Sequence, residues 1–243
     1  MPRFYCSQPL AVGDTIALPE AVAHHVRVLR LQEGAELCLF NGDGDQYLAH
    51  LASVEKRSAT AVLKALVARD VELPYEITLA QALPESSKMD WIIEKAVEMG
   101  VAAIQPLAAQ RCVVRLSGER AEKKQAHWQG VIVAASEQSG RNRLARLAPV
   151  DDFHPWIGQQ NMHKRILLTP RANQSLAEWA RHQPPQAVAI MVGPEGGFTL
   201  QEEDAAIAAG ALAVSMGPRI LRTETAGIAA VAALTTLWGD TVK

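Results

Sequence analysis

The sequence has few cysteines, and their spacing predicts neither a disulfide framework nor a zinc site. Cys6, Cys38 and Cys112 lie 32 and 74 residues apart, and there is no Cys-x-x-Cys pair. Disulfide-rich small domains and thiolate zinc sites both need regularly spaced cysteines. The seven histidines show no His-x-x-x-His spacing. We therefore expect a protein without a metal site, in a reducing compartment.

Long apolar runs and an excess of one charge are also missing. No stretch approaches the roughly 18 uninterrupted apolar residues of a membrane span, and the first residues lack the regions of a secretory signal. The 243 residues carry 24 Lys and Arg against 26 Asp and Glu, a formal charge of -2. This balance argues against a polycation that binds nucleic acid through bulk charge. The sequence predicts a cytoplasmic protein that does not contact a membrane.

The first part of the chain, residues 1–72, is predicted to be β-rich. An Asn-Gly-Asp-Gly-Asp loop, typical of hairpins, joins two segments of alternating polarity. Apolar residues Val22, Val26 and Leu29 indicate a short amphipathic helix that starts near Pro19. The predicted strands are Glu36–Phe40, Gln46–Ala52 and Ser58–Val67.

From residue 73 onwards the pattern becomes one of short apolar runs, each followed by a loop and a helix-like stretch. This alternation is typical of an α/β fold with a parallel sheet, so we place a domain boundary after residue 72. An Ala-rich helix is predicted over residues 225–238. The predicted strands are Ile77–Leu83, Ala102–Leu107, Arg165–Thr169, Ala187–Val192 and Ala211–Met216.

Two loops that contain Gly-Pro follow predicted strands. Gly193–Gly197 is rich in glycine, and Gly217–Ala226 contains two Arg, one Glu and two Thr. Glycines at the carboxyl end of a parallel strand let the backbone approach a ligand closely. We expect the two loops to lie at adjacent strand ends and to form one pocket. Plain strand-to-helix turns remain the alternative, because Thr199 and Glu202 have the spacing of a capping box.

A basic stretch covers residues 111–146, with eight Arg and Lys against three Glu, a local charge of +5. Within it, Ser139–Arg143 is predicted to be a loop that presents Arg141 and Arg143. Guanidinium groups suit bidentate contact with phosphate. This stretch could bind RNA, or it could simply be a solvated surface; the sequence leaves both interpretations open.

At these loops the sequence resembles, over its whole length, the RsmE family of SPOUT methyltransferases. The resemblance implies methylation of N3 of a uridine in small-subunit (16S) ribosomal RNA, with S-adenosyl-L-methionine as the cofactor and 16S rRNA or the 30S subunit as the partner. The segments that carry it are 94–100, 110–112, 136–141, 169–172, 193–197 and 217–226.

The resemblance also implies an architecture that periodicity does not predict. Residues 1–72 would form a PUA-like, RNA-binding β-barrel, and residues 73–243 a SPOUT α/β domain with a parallel sheet and a C-terminal trefoil knot. The active form would be a homodimer. True knots are very rare, and nothing in the hydrophobic periodicity indicates one, so this expectation comes from the family alone.

The chemistry of the implied reaction gives roles to further residues, and the resemblance itself gives the cofactor contacts. Arg111, Arg141 and Arg143 would hold the RNA backbone. Arg222 would stabilise the charge that develops on the uracil ring, and Glu224 would either orient Arg222 or accept the N3 proton. The implied cofactor contacts are Leu168, Thr169, Pro170, Gly193, Glu195, Gly196, Met216, Gly217, Ile220, Leu221, Thr225 and Ala226.

Other functions stay open at this point. The chain could be a SPOUT methyltransferase for another RNA, a non-catalytic factor for ribosome assembly, or an enzyme that binds a free nucleotide. The sequence has no Walker loop, Gly-x-Gly-x-x-Gly fingerprint or Gly-x-Ser-x-Gly elbow. It therefore does not indicate a P-loop nucleotide site, a Rossmann dinucleotide site or a serine hydrolase.

Overall fold

The computed structural model describes residues 1–85, 88–160 and 163–239, and it divides into two compact units. The first unit consists of Met1–Glu72 and Val133–Leu144, and the second of the remaining chain from Leu73. The first unit's opening segment ends at Glu72, the residue after which the sequence changes from a β-rich to an α/β pattern. The return of residues 133–144 to the first unit is not predicted by the sequence.

The first unit contains a five-stranded sheet and one helix. The strand order is β1-β3-β4-β5-β2, with β1 parallel to β3 and the other pairs antiparallel. The three predicted strands and the helix are confirmed, whereas β1 and β2, with three residues each, are too short to show alternation. The elements are β1 (Arg3–Tyr5), β2 (Thr15–Ala17), α1 (Glu20–Val28), β3 (Glu36–Phe40), β4 (Gln46–Val54) and β5 (Ala59–Val67).

A buried ion pair holds residues 133–144 in the first unit. Arg141 is 3% exposed, and its guanidinium donates from Nε to Glu72 Oε1 (3.0 Å) and from Nη2 to Glu72 Oε2 (2.5 Å). Next to it, buried Asn142 donates to the carbonyl of Arg69 (2.9 Å) and accepts from Arg3 Nη2 (2.7 Å). The prediction that the Ser139–Arg143 loop presents Arg141 to RNA is therefore wrong, because this guanidinium compensates an internal carboxylate.

The second unit is built on a parallel sheet whose order is β12-β10-β11-β6-β7-β8, with β9 also paired to β7. Its strands are β6 (Ile77–Ala82), β7 (Ala103–Ala108), β8 (Arg146–Leu147), β9 (Asp151–Asp152), β10 (Lys164–Leu168), β11 (Val188–Val192) and β12 (Leu212–Val214). Its helices are α2 (Lys88–Glu98), α3 (Gly118–Ser139, whose last residues belong to the first unit), α4 (Phe153–Gly158), α5 (Leu176–Arg181), α6 (Leu200–Ala208) and α7 (Thr223–Gly239).

All five strands predicted for the α/β part are confirmed, within about one or two residues at each end. Every residue of β11 is buried, as expected of a parallel strand that is covered on both faces. Helix α7 packs against α2, α5, β11 and β6, and its Leu234 and Trp238 are buried in the chain's own core. Within the described ranges, no helix is long and apolar enough to span a membrane.

We predict that Arg141→Ala will destabilise the protein by about 3–5 kcal/mol, because it leaves the Glu72 carboxylate inside the first unit without its counter-ion. Chemical denaturation followed by circular dichroism measures this change. Arg146→Ala is the matched control: the Arg146–Glu76 pair is 63% and 46% exposed, so its loss should cost less than about 1 kcal/mol. Equal losses in the two variants would contradict the structural role of Arg141.

Candidate active site

Three loops meet at the carboxyl edge of the parallel sheet. They follow β10, β11 and β12, and β10 lies between the other two strands. The two Gly-Pro loops are therefore not at adjacent strand ends, as expected from the sequence, but flank the loop that begins at Thr169. Carboxyl ends of parallel strands are the usual position of ligand sites in α/β proteins.

The three loops enclose a cavity of about 230 Å³. Of the twelve residues that the resemblance assigns to the cofactor, eleven line it; the exception is Thr225, an exposed residue of α7. The lining residues that were not assigned are Val192, Pro194, Gly197, Phe198, Glu203, Arg219 and Thr223.

A chain of buried hydrogen bonds joins the start of α7 to the glycine-rich loop. The Thr223 hydroxyl donates to the carbonyl of Gly193 (2.6 Å) and accepts from Nε2 of Gln81 on β6 (2.9 Å). Thr223 is 6% exposed and Gln81 is fully buried. Buried polar groups without partners are costly, so these bonds fix the two loops relative to each other.

Two positions need glycine because neighbouring atoms pack closely against the backbone there. A Cβ at Gly193 would lie 2.8 Å from the amide nitrogen of Phe198, so only glycine allows the loop to fold back so tightly. A Cβ at Gly227 would lie 3.1 Å from Leu79 Cδ1 and 3.3 Å from Val192 Cγ2, which shows how closely α7 rests on β6 and β11. Both positions support the wall of the cavity.

A carboxylate that the sequence does not single out also lines the cavity. Glu203 is 8% exposed, and its Oε2 accepts from the Thr169 hydroxyl (3.2 Å) and from Arg171 Nε (3.2 Å). The ion pair with Glu203 raises the pKa of Arg171. In the sequence Glu203 is one of several acidic residues at the start of α6, where charges that favour the helix dipole are common. Only its contacts distinguish it.

The carboxylate of Glu195 ties the glycine-rich loop to the start of α2. Its Oε1 accepts from Lys88 Nζ (2.7 Å) and from the amide of Glu85 (3.0 Å). Burial raises the pKa of Glu195, but its hydrogen bonds and the positive charge of Lys88 together lower it by more, so the pKa lies below the usual glutamate value. The hydrogen bond to Glu195 raises the pKa of Lys88. Lys88 carries no motif that would identify it from the sequence.

The two residues predicted to be catalytic flank Thr223. Arg222 is exposed, and its carbonyl accepts from the amides of Thr225 (2.9 Å) and Ala226 (2.8 Å) in the first turn of α7. Glu224 lies 3.8 Å from Lys88 Nζ, and its buried Oε2 has no hydrogen-bond donor among the described residues. Neither side chain is part of the cavity lining, so both stand beside the cavity rather than in it.

The arginines predicted to bind RNA have different environments. Arg111 donates from Nη1 to the carbonyl of Gly196 (2.7 Å), so it braces the glycine-rich loop while remaining exposed. Arg143 is exposed, and its guanidinium lies over Gly44, where a Cβ would come within 2.5 Å of Nη2. Arg141 is the buried partner of Glu72 described above. Arg111 and Arg143 thus keep surface that RNA could reach.

Comparisons with known proteins place this geometry in a family. Residues 71–235 match the model of an RNA methyltransferase domain, and residues 18–64 match that of an RNA methyltransferase PUA domain. The chain belongs to the RsmE family. It is 31% identical, over 88% of its length and 87% of the relative's, to ribosomal RNA small subunit methyltransferase E of Bacillus subtilis.

Solved structures of similar proteins agree with this membership. The RsmE of Neisseria gonorrhoeae, bound to S-adenosyl methionine, is 40% identical with a TM-score of 0.91, and the match covers 98% of each chain. A methyltransferase of Legionella pneumophila, in complex with the same cofactor, is 33% identical with a TM-score of 0.92 over 96% of each chain. The RsmE fold of this chain is thus an α/β domain with a parallel sheet, preceded by a PUA-like domain.

The cysteines and histidines play no evident part in this RsmE site. Cys6, Cys38 and Cys112 are free and buried, and burial raises the pKa of the Cys6 thiol to about 12. Among the residues that the structure describes, no group of three or more His, Cys, Asp or Glu is arranged to hold a metal ion.

We predict that Thr223→Val will destabilise the protein by about 1–3 kcal/mol, because the Gly193 carbonyl loses its donor inside the core. Thermal unfolding measures this change. Thr223→Ser keeps the hydroxyl and should retain most of the stability. If valine and serine have the same effect, the hydroxyl bridge does not hold the loops together.

We also predict a pH dependence for the Glu195 anchor. Because the folded-state pKa of Glu195 is lowered, its ionised form adds stability above the ordinary glutamate pKa of about 4.3, and this contribution is lost as pH falls through the lower folded pKa. The difference in melting temperature between wild type and Glu195→Gln should therefore be present at neutral pH and shrink below about pH 4. A difference that grows in acid would contradict this assignment.

The control for this pH series is Glu119→Gln. Glu119 pairs with Lys123 on one helix, and the two side chains are 77% and 74% exposed. An exposed pair of this kind contributes little to stability, so this variant should melt close to the wild type throughout.

Proposed function

We propose that this protein transfers a methyl group from S-adenosyl-L-methionine to N3 of a specific uridine in 16S ribosomal RNA, within the assembled 30S subunit. The observation that carries the proposal is the cavity where the loops after β10, β11 and β12 meet. Its lining contains eleven of the twelve residues assigned to the cofactor. Two similar proteins were solved with this cofactor bound.

The residues of the cavity fit the chemical groups of the cofactor. Leu168, Val192 and Leu221 line the cavity and would offer apolar surface to a ring such as adenine, and the backbone of the glycine-rich loop would offer polar groups without bulky side chains. Glu195 and Glu203 also line the cavity, and each is paired with a cation through one oxygen. The other oxygen of either carboxylate would accept a hydrogen bond from the amino group of S-adenosyl-L-methionine.

The chain itself would supply proton transfer and charge stabilisation. Uracil N3 carries a proton and becomes nucleophilic when it loses it; the bond to the methyl carbon then forms as the carbon–sulfur bond breaks, with the electron pair going to sulfur. A buried carboxylate oxygen without a hydrogen-bond donor is suited to accept that proton, and Glu224 Oε2 is such an atom. We therefore assign proton acceptance, rather than orientation of Arg222, to Glu224.

Arg222 would stabilise the negative charge that spreads over the ring carbonyls when N3 loses its proton. Its exposure beside the cavity, immediately before α7, leaves its guanidinium accessible to a base brought in by RNA. The N3 edge is hidden in a base pair, so the target uridine would be single-stranded or flipped out. Arg111 and Arg143 would contact the RNA backbone.

Several finer features belong to the same proposal. Residues 1–72 would act as the RNA-binding barrel, and the protein would be a cytoplasmic homodimer. The C-terminal part would form a trefoil knot. Support for the knot is that β12 lies at one edge of the sheet while α7, which follows it, packs on β11 and β6 beyond β10.

An assay with labelled S-adenosylmethionine and small subunits from a strain that lacks the modification tests the function. We expect label on one uridine at N3, located by mass spectrometry. Arg222→Ala and Glu224→Gln should each lower the rate by about 100-fold or more, because each removes a group needed in the transition state.

Calorimetry with S-adenosylhomocysteine separates binding from chemistry in the same variants. Because neither side chain lines the cavity, we expect affinities close to that of the wild type. Label on a different RNA or on another atom would contradict the proposed substrate and identify the actual one. An absence of both label and cofactor affinity would contradict a methyltransferase altogether.

A further inference from the structure

Lys88, the first residue of α2, stands between two carboxylates of the candidate active site. Its Nζ lies 2.7 Å from Glu195 Oε1 and 3.8 Å from Glu224 Oε2. The three side chains are only 28%, 30% and 21% exposed, so their charges interact more strongly than they would in bulk water. One ammonium group therefore faces both the glycine-rich loop and the first turn of α7.

The two carboxylates are held differently. Glu195 accepts hydrogen bonds from Lys88 and from the amide of Glu85, whereas Glu224 Oε2 lies beyond hydrogen-bond distance of Lys88. That oxygen is buried and has no donor within the described part of the chain. Lys88 thus anchors one carboxylate and compensates the charge of the other without occupying its oxygen. The charged groups that act on Lys88 are Glu195, Glu224 and Glu85.

An ordinary surface ion pair does not have this arrangement. The Lys123–Glu119 pair joins two exposed residues one turn apart on α3, and such pairs contribute little. Lys88 instead connects three segments of the fold, because its partner Glu195 is 107 residues away and Glu224 lies on yet another element. Its position suits it to setting the geometry of the site.

We propose that Lys88 is a positioning residue for methyl transfer. It anchors the cofactor loop through Glu195, and it holds the Glu224 carboxylate in place to take the proton from uracil N3. This inference rests on the proposed function. When the N3–H bond breaks, the proton goes to Glu224 Oε2 and the electron pair stays on N3, while Lys88 remains paired with Glu195.

The test compares Lys88→Met and Lys88→Arg with the wild type and with Lys123→Met as the control. We expect Lys88→Met to lower kcat by about 10- to 100-fold while KM for the 30S subunit stays within about twofold. Arginine keeps the positive charge and should restore most of the rate. Lys123→Met should behave as the wild type.

A second readout does not depend on turnover. Loss of the Glu195 anchor should weaken the affinity for S-adenosylhomocysteine by about two- to fivefold in Lys88→Met, the range of a partly exposed ion pair, measured by calorimetry. Lys88→Arg should bind within about twofold of the wild type. Unchanged affinity in Lys88→Met would overturn the anchoring role. Melting curves verify that each variant is folded.

A double variant tests whether Lys88 acts through Glu224. If it does, Lys88→Met combined with Glu224→Gln should have a kcat within about twofold of Glu224→Gln alone, since the group that Lys88 positions is already gone. Losses that multiply would overturn this role.

Failure of this inference can be told apart from failure of the proposed function. A wild type that methylates rRNA, with Lys88→Met as fast as the control, leaves the function standing and contradicts the inference. A wild type that binds S-adenosylhomocysteine but methylates no RNA contradicts the function and the Glu224 role together, while the calorimetric comparison still decides the Glu195 anchor.

Discussion

The buried hydroxyl of Thr223 is the contact on which the candidate active site depends. It donates to the Gly193 carbonyl and accepts from Gln81, so three segments, β6, the loop after β11 and the first turn of α7, share one set of hydrogen bonds. Because each of these groups is buried, none can turn to water instead. Arg222 and Glu224 flank Thr223 in the chain, and their place beside the cavity follows from it.

In the candidate active site the backbone of the loops forms the cavity, and charged side chains hold the loops in position. The cavity is enclosed by loops at three strand ends, and their glycines bring the backbone close without bulk. Its acidic side chains differ in their partners: Glu195 and Glu203, in the lining, are each held by a cation, while one oxygen of Glu224, beside the cavity, has no donor among the described residues. A carboxylate held by donors is a good anchor, and one without donors is a better proton acceptor. In the proposed reaction, Glu195 and Glu203 would therefore act as anchors and Glu224 as the proton acceptor.

Charge counted along the sequence overstates what RNA could contact. The stretch 111–146 carries a net charge of +5, yet Arg141 is buried against Glu72 and Arg146 pairs with Glu76. Both glutamates lie outside the stretch, so a count along the sequence misses the two carboxylates that balance these arginines. Contact with RNA would therefore rest on a few exposed guanidinium groups together with shape, which fits a protein of near-neutral total charge that binds one structured partner.

Local pattern was enough to predict the longer strands, α1, the Ala-rich α7 and the two Gly-Pro loops, because periodicity and turn chemistry act over a few residues. It also predicted the capping box of α6, in which the Thr199 hydroxyl accepts from the Glu202 amide. The family motifs added eleven residues of the cavity. Only the tertiary structure decided that β10 separates the two loops, that Arg141 is internal and that Lys88 belongs to the site. Each of these depends on partners distant in sequence, 69 residues for Arg141 and Glu72 and 107 for Lys88 and Glu195, and contacts of that kind leave no local pattern.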